Sequence, residues 1–369
     1  MPDNSEYKYL KFKEGTVTVK PSSRKDWSGS SVQIILLAGP TGAGKSSFLE
    51  ALSGDKSLGI SKNQLAGVTQ AVVAYEIQNA VFQMSGEDDI CLLDSPGFSD
   101  SEISDSEIVE MVKKWLADHN ANALHNLLYF CPITDIRLPG SRRKTIEMLK
   151  SFIKASSSSV DLTNNGSLTV VTTMWDNVWN DRTEQRAEKN YTQLKDVVFK
   201  DMISKGAGIV RFMNTQKSSF DILDACREHW GKASGNAYSA YRNEGALGKT
   251  FYGYLLYADL LGRVEQAQQL KRILEFDLTQ TRVLEDSTLT EITEASWQAN
   301  ERLLRKFKGQ VKAFGEPPDG MPMIVFEDVS MSTRLREAIR RQRVKLKIGW
   351  VRGPRKVVYG IFHFKKRRS

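Results

Sequence analysis

The sequence is poor in cysteine and histidine, which argues against a disulfide scaffold or a zinc protein. Its 369 residues contain three cysteines, Cys91, Cys131 and Cys226, and no CxxC pair. Two of them lie in apolar runs typical of central strands, so we expect buried thiols in a reducing, intracellular protein. The four histidines show no HExxH or similar metal spacing, and we expect them to be surface or packed residues.

Long apolar runs and a signal peptide are also missing. The best candidates for a membrane span, residues 32–37 and 251–261, are short or interrupted, whereas a span requires roughly 18 to 20 apolar residues. The N-terminus lacks the basic-then-apolar layout of a secretory signal. With 40% apolar and 26% charged residues, the chain has a globular composition and is long enough for about two domains. We therefore predict a cytoplasmic protein without a transmembrane segment.

Positive charge is concentrated at one end of the chain. The formal net charge is +8. Residues 331–369 contain 14 Lys and Arg against one acid, Glu337, so they carry +13, which leaves 8 − 13 = −5 for residues 1–330. A basic tail favours anionic partners, and it predicts either peripheral contact with an anionic membrane or contact with nucleic acid.

Residues 39–46 read GPTGAGKS and complete the pattern G-x-x-x-x-G-K-[ST] directly after the apolar run 32–37. A strand that ends in such a loop, with a helix behind it, is typical of a phosphate site. Lys45 is predicted to bind the β- and γ-phosphates, and the hydroxyl of Ser46 to bind Mg²⁺. The nucleotide-contacting residues predicted in this loop are Gly39, Thr41, Gly42, Ala43, Gly44, Lys45, Ser46 and Ser47.

Two further segments fit a switch around the γ-phosphate. Asp94 and Gly97 form a D-x-x-G pattern after the apolar run 90–93, where Asp94 can hold a Mg²⁺-bound water and the Gly97 N–H can sense the γ-phosphate. Thr69 lies 24 residues after Lys45 and 25 before Asp94, and its hydroxyl can complete the metal shell while a γ-phosphate is bound. The alternative for Thr69 is a threonine that begins a strand. We assign Mg²⁺ to Ser46, Thr69 and Asp94, and hydrolysis to Lys45, Thr69 and Gly97.

The base is predicted to lie against two later strand ends. Residues 168–172 form an apolar strand that leads into Thr173-Met-Trp-Asp176. The Asp176 carboxylate can accept hydrogen bonds from guanine N1–H and N2–H₂, a donor pair that adenine does not present; its alternative role is a helix cap. Asn214 follows the predicted strand 208–213 and is expected to flank the guanine.

Strand and helix patterns alternate from residue 32 to residue 230. They predict an α/β phosphate-loop NTPase fold of the Ras-like type, with a mostly parallel sheet and helices on both faces. Strands at 71–77 and 90–93 are expected to form an antiparallel edge, and residues 1–29 a small edge hairpin. Helices are predicted at 101–119, 145–153, 182–204 and 219–230.

Four regions follow: an N-terminal extension (1–29), a GTP-binding domain (30–232), a helical extension (247–315) and a basic segment (321–369). The helical extension is predicted to pack as a hairpin against the GTP-binding domain, with pairing to a partner as the alternative. Its last helix should bury one face, formed by Ile292, Ala295, Ala299, Leu303, Phe307, Val311 and Phe314. In the basic segment, residues 344–364 predict a hairpin that offers Trp350, Tyr359 and Phe362 to lipid head groups or nucleic acid, or that docks on the protein.

The chain resembles the septin-like branch of the phosphate-loop GTPases, and within it the immunity-associated (avirulence-induced) group and its fungal members. The resemblance covers about residues 30–232. It is carried by GPTGAGKSS at 39–47, Thr69, DSPGF at 94–98, the stretch 133–149 and TTMWD at 172–176. Two departures affect function. TMWD replaces the commoner NKxD, so guanine specificity depends largely on Asp176, and Phe98 replaces a water-orienting glutamine, so intrinsic hydrolysis should be slow.

The resemblance also implies dimerisation across the nucleotide face, with hydrolysis stimulated by the partner subunit. Arg137, Arg142 or Arg143 could then supply positive charge in trans, or they are solvated surface residues. The sequence thus predicts a Mg²⁺-dependent GTP-binding protein that hydrolyses GTP slowly and whose helical C-terminal region responds to the nucleotide. The alternatives are an ATP-dependent small-molecule kinase and a GTP-binding scaffold that does not hydrolyse its nucleotide.

Overall fold

The computed structural model describes residues 3–28, 31–55, 70–84, 86–98, 100–121, 124–134, 145, 168–232, 247–249, 252–280, 283 and 285–321. Several predictions lie outside these residues: Thr69, Arg137, Arg142, Arg143, nearly all of the helix at 145–153, and the basic hairpin at 344–364. The described chain divides into two compact units, one made of residues up to 262 together with 309–321, the other of residues 263–308.

In the described residues, the first unit is built on a nine-stranded sheet. Its strands are β1 (Leu10–Phe12), β2 (Thr18–Pro21), β3 (Val32–Ala38), β4 (Val73–Gln78), β5 (Ala80–Gln83), β6 (Glu87–Asp94), β7 (Asn126–Pro132), β8 (Leu168–Thr173) and β9 (Gly208–Arg211). The α-helices in the described residues are α1 (Lys45–Ser53), α2 (Asp105–Asp118), α3 (Asp181–Gln193), α4 (Lys200–Ser204), α5 (Gln216–Lys232), α6 (Gly253–Asp277) and α7 (Ser287–Phe314).

Five strands form the parallel part of the sheet, in the order β6-β3-β7-β8-β9. Every residue of β3 and β7 is buried, as expected for parallel strands that are covered on both faces. Phe48 of α1 packs edge-on between Phe130 and Phe212, with ring centroids 5.4 and 5.6 Å away. The predicted α/β fold is therefore confirmed, with a parallel part of the sheet that is covered by helices and with a helical C-terminal region.

The antiparallel side of the sheet is larger than predicted. β4 pairs antiparallel with β6, as expected, but β4 is not the edge, because β2 pairs with its other side. The predicted hairpin of residues 1–29 is wrong: β1 pairs with β5, a strand that the sequence pattern did not indicate, and not with β2. A contact with a distant helix accompanies this pairing: the carboxylate of Asp224 on α5 accepts hydrogen bonds from the backbone of Tyr9 (2.7 Å) and Leu10 (2.8 Å).

The long helix predicted at 182–204 is interrupted. A π-helical turn over Leu194–Val198 separates α3 from α4. The Phe199 N–H donates to the carbonyl of Leu194 at 2.8 Å, and the buried Phe199 ring lies 6.3 Å from that of Tyr129. The wider turn thus allows Phe199 to enter the core, which a continuous amphipathic pattern does not reveal.

The second unit contains the adjoining parts of α6 and α7. The buried positions of α7 recur after three or four residues, at Thr290, Thr293, Trp297, Asn300, Leu304 and Phe307. The predicted buried face was wrong in the first half of the helix, since Ile292 is 59% exposed. The polar side chains at the buried positions bond to the backbone instead; Asn300, for example, donates to the carbonyl of Ala267 at 2.9 Å.

The burial of the cysteines can be compared with the prediction, and the helices with the length of a membrane span. Cys91, Cys131 and Cys226 are buried free thiols, as predicted, and burial raises the pKa of Cys226 to about 12. Within the described ranges, the structure holds no helix that combines the length and apolar character of a membrane span.

Candidate nucleotide-binding site

The phosphate loop joins β3 to α1, and its backbone conformation depends on glycine. Gly39 has φ +144°, and a Cβ atom there would lie 2.6 Å from the carbonyl oxygen of Phe130. Gly44 precedes α1 with φ 94°, so the helix begins at Lys45. Since the free N–H groups of a helix N-terminus and the positive end of its dipole face the preceding loop, this loop is suited to bind phosphate.

Lys45 is buried beneath the loop. Its Nζ donates to the carbonyls of Gly39 (3.2 Å) and Pro40 (3.3 Å). Burial lowers the pKa of the Lys45 ammonium, while the nearby carboxylates of Asp94 and Asp100 oppose that shift. The charge is therefore held in a poorly solvated position next to the loop, where an anionic ligand would interact with it strongly.

The segment that contains Asp94 and Gly97 lies directly against the phosphate loop. Ser95 Oγ donates to the carbonyl of Leu37 at 2.8 Å, and the Phe98 N–H donates to the carbonyl of Gly39 at 3.0 Å. A Cβ atom at Gly97 would overlap the backbone of Thr41. The glycine at 97 is thus required by this close approach, and the first two motifs of the sequence meet in space.

Two described residues fit a magnesium ion. Ser46, in the first turn of α1, and Asp94, the last residue of β6, are both buried, and hydroxyl and carboxylate oxygens are ligands that Mg²⁺ accepts. In the part of the chain that the structure describes, no group of three or more His, Cys, Asp or Glu side chains could hold a metal ion. This donor set suits an ion that takes its remaining ligands from nucleotide phosphates and water.

Asp100 was not among the predicted site residues. Its carboxylate accepts from Thr41 Oγ1 at 3.0 Å and from the backbone of Glu102 (2.8 Å) and Ile103 (3.1 Å). It therefore connects the phosphate loop to the segment that leads into α2. The signal available in the sequence was an acid shortly after DSPGF, but an acid in a polar loop is usually solvated.

The same segment contacts α7 within the first unit. Ser104 caps α2 by accepting from the Glu107 N–H at 3.2 Å, and its hydroxyl donates to Gln310 Oε1 at 2.8 Å. Gln310 Nε2 in turn donates to the Glu107 carboxylate at 2.8 Å. Gln310 thus bridges the cap and the first turn of α2, a contact that links residues more than two hundred positions apart.

The predicted base-reading residues come together at the ends of β8 and β9. Thr173 Oγ1 donates to the carbonyl of Ala43 at 2.8 Å, which ties β8 to the phosphate loop. Met174 has φ 63° and precedes the 3₁₀ turn Trp175–Asn177, which presents an exposed Asp176. Asn214, with φ 54°, donates its side-chain amide to the Asp176 carboxylate at 2.9 Å.

The structure therefore brings most of the predicted site residues together. Gly39 to Ser47 form the loop and the start of α1, Asp94 and Gly97 lie against it, and Thr173 contacts it from β8. Asp176 and Asn214 pair with each other on the same edge of the sheet. Thr69 lies outside the described residues.

Comparisons with known proteins match part of the chain to GTP-binding proteins. Residues 34–164 match the family model described as 50S ribosome-binding GTPase. A probable GTP-binding protein EngB from Mesoplasma florum is 26% identical over 129 residues, which cover 34% of this chain and 58% of that protein. The chain thus matches a little over half the length of this curated relative.

Matches among solved structures include Toc33 from Arabidopsis thaliana in complex with Mg²⁺ and GMPPNP, at 14% identity and a TM-score of 0.40, covering 56% of this chain and 88% of that one. Another is the LeoA bacterial dynamin GTPase from ETEC, at 14% identity and a TM-score of 0.32, covering 91% of this chain and 71% of that one. On the family match, the chain contains a phosphate-loop GTPase G domain. The septin-like, immunity-associated and fungal subtype stays a prediction.

Proposed function

We propose that this G-domain protein binds GTP and GDP with Mg²⁺, hydrolyses GTP slowly, and changes conformation with the nucleotide. The observation that supports the proposal best is the meeting of three motifs at the carboxyl ends of β3, β6 and β8. They are joined by direct hydrogen bonds from Phe98 to Gly39 and from Thr173 to Ala43. Ligands in open parallel sheets bind at this edge.

Each residue has a proposed task. Lys45 binds the β- and γ-phosphates, Ser46, Asp94 and Thr69 hold Mg²⁺, and the Gly97 N–H contacts the γ-phosphate. Bound Mg²⁺ would neutralise charge on the phosphate oxygens. Phe98 is 3% exposed and has an apolar ring, so its side chain cannot orient an attacking water, and this supports slow intrinsic hydrolysis.

Asp176 is proposed to read the guanine base. In Asp176→Ala we expect GTP and GDP affinity to fall at least about 100-fold, the value of the two charge-assisted hydrogen bonds to guanine N1–H and N2–H₂, while ATP affinity stays unchanged. Calorimetric titration of GTP, GDP and ATP with Mg²⁺ measures this. Asp181→Ala, an exposed acid five residues later, serves as the control. Equal or tighter ATP binding by the natural protein would contradict the proposal and favour the kinase, and bound GTP that is never hydrolysed would favour the scaffold.

The contact of Gln310 with α2 supports the proposed conformational change with the nucleotide. A γ-phosphate that moves Gly97 must also move Asp100, which is hydrogen-bonded to Thr41, and the chain then leads within a few residues to Ser104 and its partner Gln310. Small shifts at a nucleotide can be transmitted through such packed, hydrogen-bonded elements.

Replacing Gln310 with alanine tests this route. In the natural protein we expect residues 305–314 to exchange amide hydrogens at different rates with GTP analogue and with GDP. In Gln310→Ala this difference should shrink at least about threefold, because α7 loses both hydrogen bonds to α2, while nucleotide affinity stays within about twofold. The control is Gln298→Ala, an exposed glutamine on the same helix. An undiminished difference in Gln310→Ala would contradict the route.

Dimerisation through the nucleotide face is part of the proposal and rests on the family resemblance. Sedimentation with GTP, with GDP and without nucleotide would test it, and a monomer under all three conditions counts against it. Contact of the basic segment with anionic lipid or nucleic acid, and a cytoplasmic location, are proposed on the charge distribution and composition.

A further inference from the structure

We propose that Arg211 is a positioning residue for guanine recognition: it holds the 3₁₀ turn Trp175–Asn177 so that Asp176 faces the base. This inference rests on the proposed function, because it concerns the same base-reading carboxylate. Arg211 is the last residue of β9, and neither its charge nor its position in the sequence indicates a part in the site.

The guanidinium of Arg211 lies in the angle between two aromatic rings. Its Cζ is 4.3 Å from the ring centroid of Trp175 and 4.3 Å from that of Tyr191. The two rings are 5.9 Å apart and inclined at 65° to each other. A planar cation attracts the negative face of an aromatic ring, so Arg211 is bound to a ring on α3 and a ring on the turn at once.

A carboxylate fixes the guanidinium in this orientation. Glu188 on α3 accepts from Arg211 Nη1 at 2.6 Å and from Nη2 at 2.8 Å. These bonds raise the pKa of Arg211, so the group stays cationic at all relevant pH values. The two-pronged pairing sets the plane of the guanidinium and therefore where Trp175 can pack.

The turn needs such support because of its backbone. It follows Met174, a non-glycine residue at φ 63°, a conformation that is uncommon and persists where neighbouring contacts require it. Trp175 is 7% exposed, and its indole Nε1 also donates to Thr172 Oγ1 at 3.0 Å. Holding the Trp175 side chain in place therefore fixes the direction in which the next residue, Asp176, leaves the turn.

β9 and the residues after it hold two consecutive positions of the turn. Arg211 packs on Trp175, and Asn214, three residues further on, donates to the carboxylate of Asp176. Recognition of guanine requires a carboxylate placed within about 0.5 Å of the ideal position. One contact sets the backbone of the turn, and the other sets the rotation of the carboxylate.

The Arg211–Glu188 pair is partly exposed to solvent. A role in positioning Asp176 can therefore be distinguished from a role in folding stability. The side chains of Arg211 and Glu188 are 39% and 46% exposed, and ion pairs at that exposure contribute little to folding stability. Removing Arg211 should therefore change base selectivity more than it changes the melting temperature.

The experiment compares GTP with ITP, whose base lacks the exocyclic N2 amino group. With a positioned Asp176, the natural protein should bind GTP about 10-fold more tightly than ITP, the value of one charge-assisted hydrogen bond. In Arg211→Met, which keeps most of the apolar stem but loses the cation, this ratio should fall to about 2-fold or less, while ATP affinity stays unchanged. Arg211→Lys, which keeps the charge but loses the two-pronged pairing, should give an intermediate ratio. Arg186→Met on an exposed part of α3 is the control and should leave the ratio unchanged.

The outcomes distinguish this inference from the function beneath it. If Asp176→Ala abolishes the GTP-to-ITP preference and Arg211→Met keeps it, the positioning role is overturned and the GTPase proposal stands. If the natural protein shows no such preference, both are overturned. If Arg211→Met proves unstable by thermal melting, Glu188→Gln decides the question: a reduced ratio supports the proposal, and an unchanged ratio overturns it.

Discussion

Replacing Lys45 with alanine is expected to abolish measurable GTP binding. Its ammonium is buried under the phosphate loop and hydrogen-bonded to the carbonyls of Gly39 and Pro40, so it lies where phosphate oxygens would be received. Two charge-assisted hydrogen bonds are worth about 3 kcal/mol or more together, which corresponds to at least about a 100-fold loss of affinity. Titration calorimetry with GTP and GDP in the presence of Mg²⁺ measures the loss.

Stability shows whether the Lys45 variant is still folded. Burial lowers the pKa of Lys45, which means that the charged form is disfavoured in the folded protein without ligand. Loss of this disfavoured charge should offset part of the loss of the buried stem and its two hydrogen bonds, so we expect the variant to remain folded, which thermal melting checks. Lys13→Ala, at an exposed ion pair with Glu87 (2.9 Å), is the matched control and should bind normally. A folded Lys45→Ala protein that still binds GTP would refute the site assignment.

Replacing Arg227 with methionine is expected to lower the free energy of unfolding by about 3 kcal/mol, since losing one partner of a buried pair leaves the other charge poorly compensated. The Arg227 side chain is 4% exposed, and Nη2 lies 3.2 Å from the Asp88 carboxylate. Asp88 also accepts from Gln33 Nε2 at 3.0 Å, so its carboxylate keeps one partner in the variant. We therefore expect a loss at the lower end of the about 3–5 kcal/mol that a broken buried pair costs. The pair joins α5 to the amino-terminal ends of β3 and β6, away from the nucleotide edge.

Urea unfolding without nucleotide measures the effect of Arg227→Met. Lys205→Met is the control, because Lys205 pairs with Asp201 on the exposed surface of α4 at 3.1 Å, and such pairs contribute about 0–1 kcal/mol. The double variant Arg227→Met/Asp88→Asn should recover part of the loss, since it removes the isolated charge. Equal stability of Arg227→Met and the natural protein would show that the pair does not hold α5 to the sheet. GTP affinity below the transition should be unchanged.

Much of the site could be predicted because its motifs are local. A glycine-rich loop between an apolar strand and a helix restricts the backbone wherever it occurs, so β3, the loop and the start of α1 lie at the expected residues. The end of β6 at Asp94 and the end of β8 at Thr173 follow from apolar runs that stop at polar residues. In a parallel sheet these ends meet at one edge, which is why the sequence pattern suffices to place Asp94 and Thr173 near Lys45.

Some site residues could not be predicted from the sequence, because they pair with distant parts of the chain. Asp100, Arg211 and Gln310 look like ordinary surface residues in the sequence, because their partners Thr41, Trp175 and Ser104 are 36 to 206 residues away. The buried face of α7 differs from the prediction because hydrophobicity alone does not mark it. Its polar members, Thr290, Thr293 and Asn300, are buried with hydrogen bonds to the backbone.

The class of fold, the phosphate loop and the residues that end each parallel strand could all be read from the amino-acid sequence, because short-range steric and periodic constraints act within a few residues. Long-range contacts, in contrast, set how β1 and β2 join the sheet, which residues surround Asp176, and which helix contacts α2. Those outcomes depend on which exposed backbone and side-chain groups find partners once the chain is compact, and the free energies that separate the possible pairings are small compared with those that form the elements themselves.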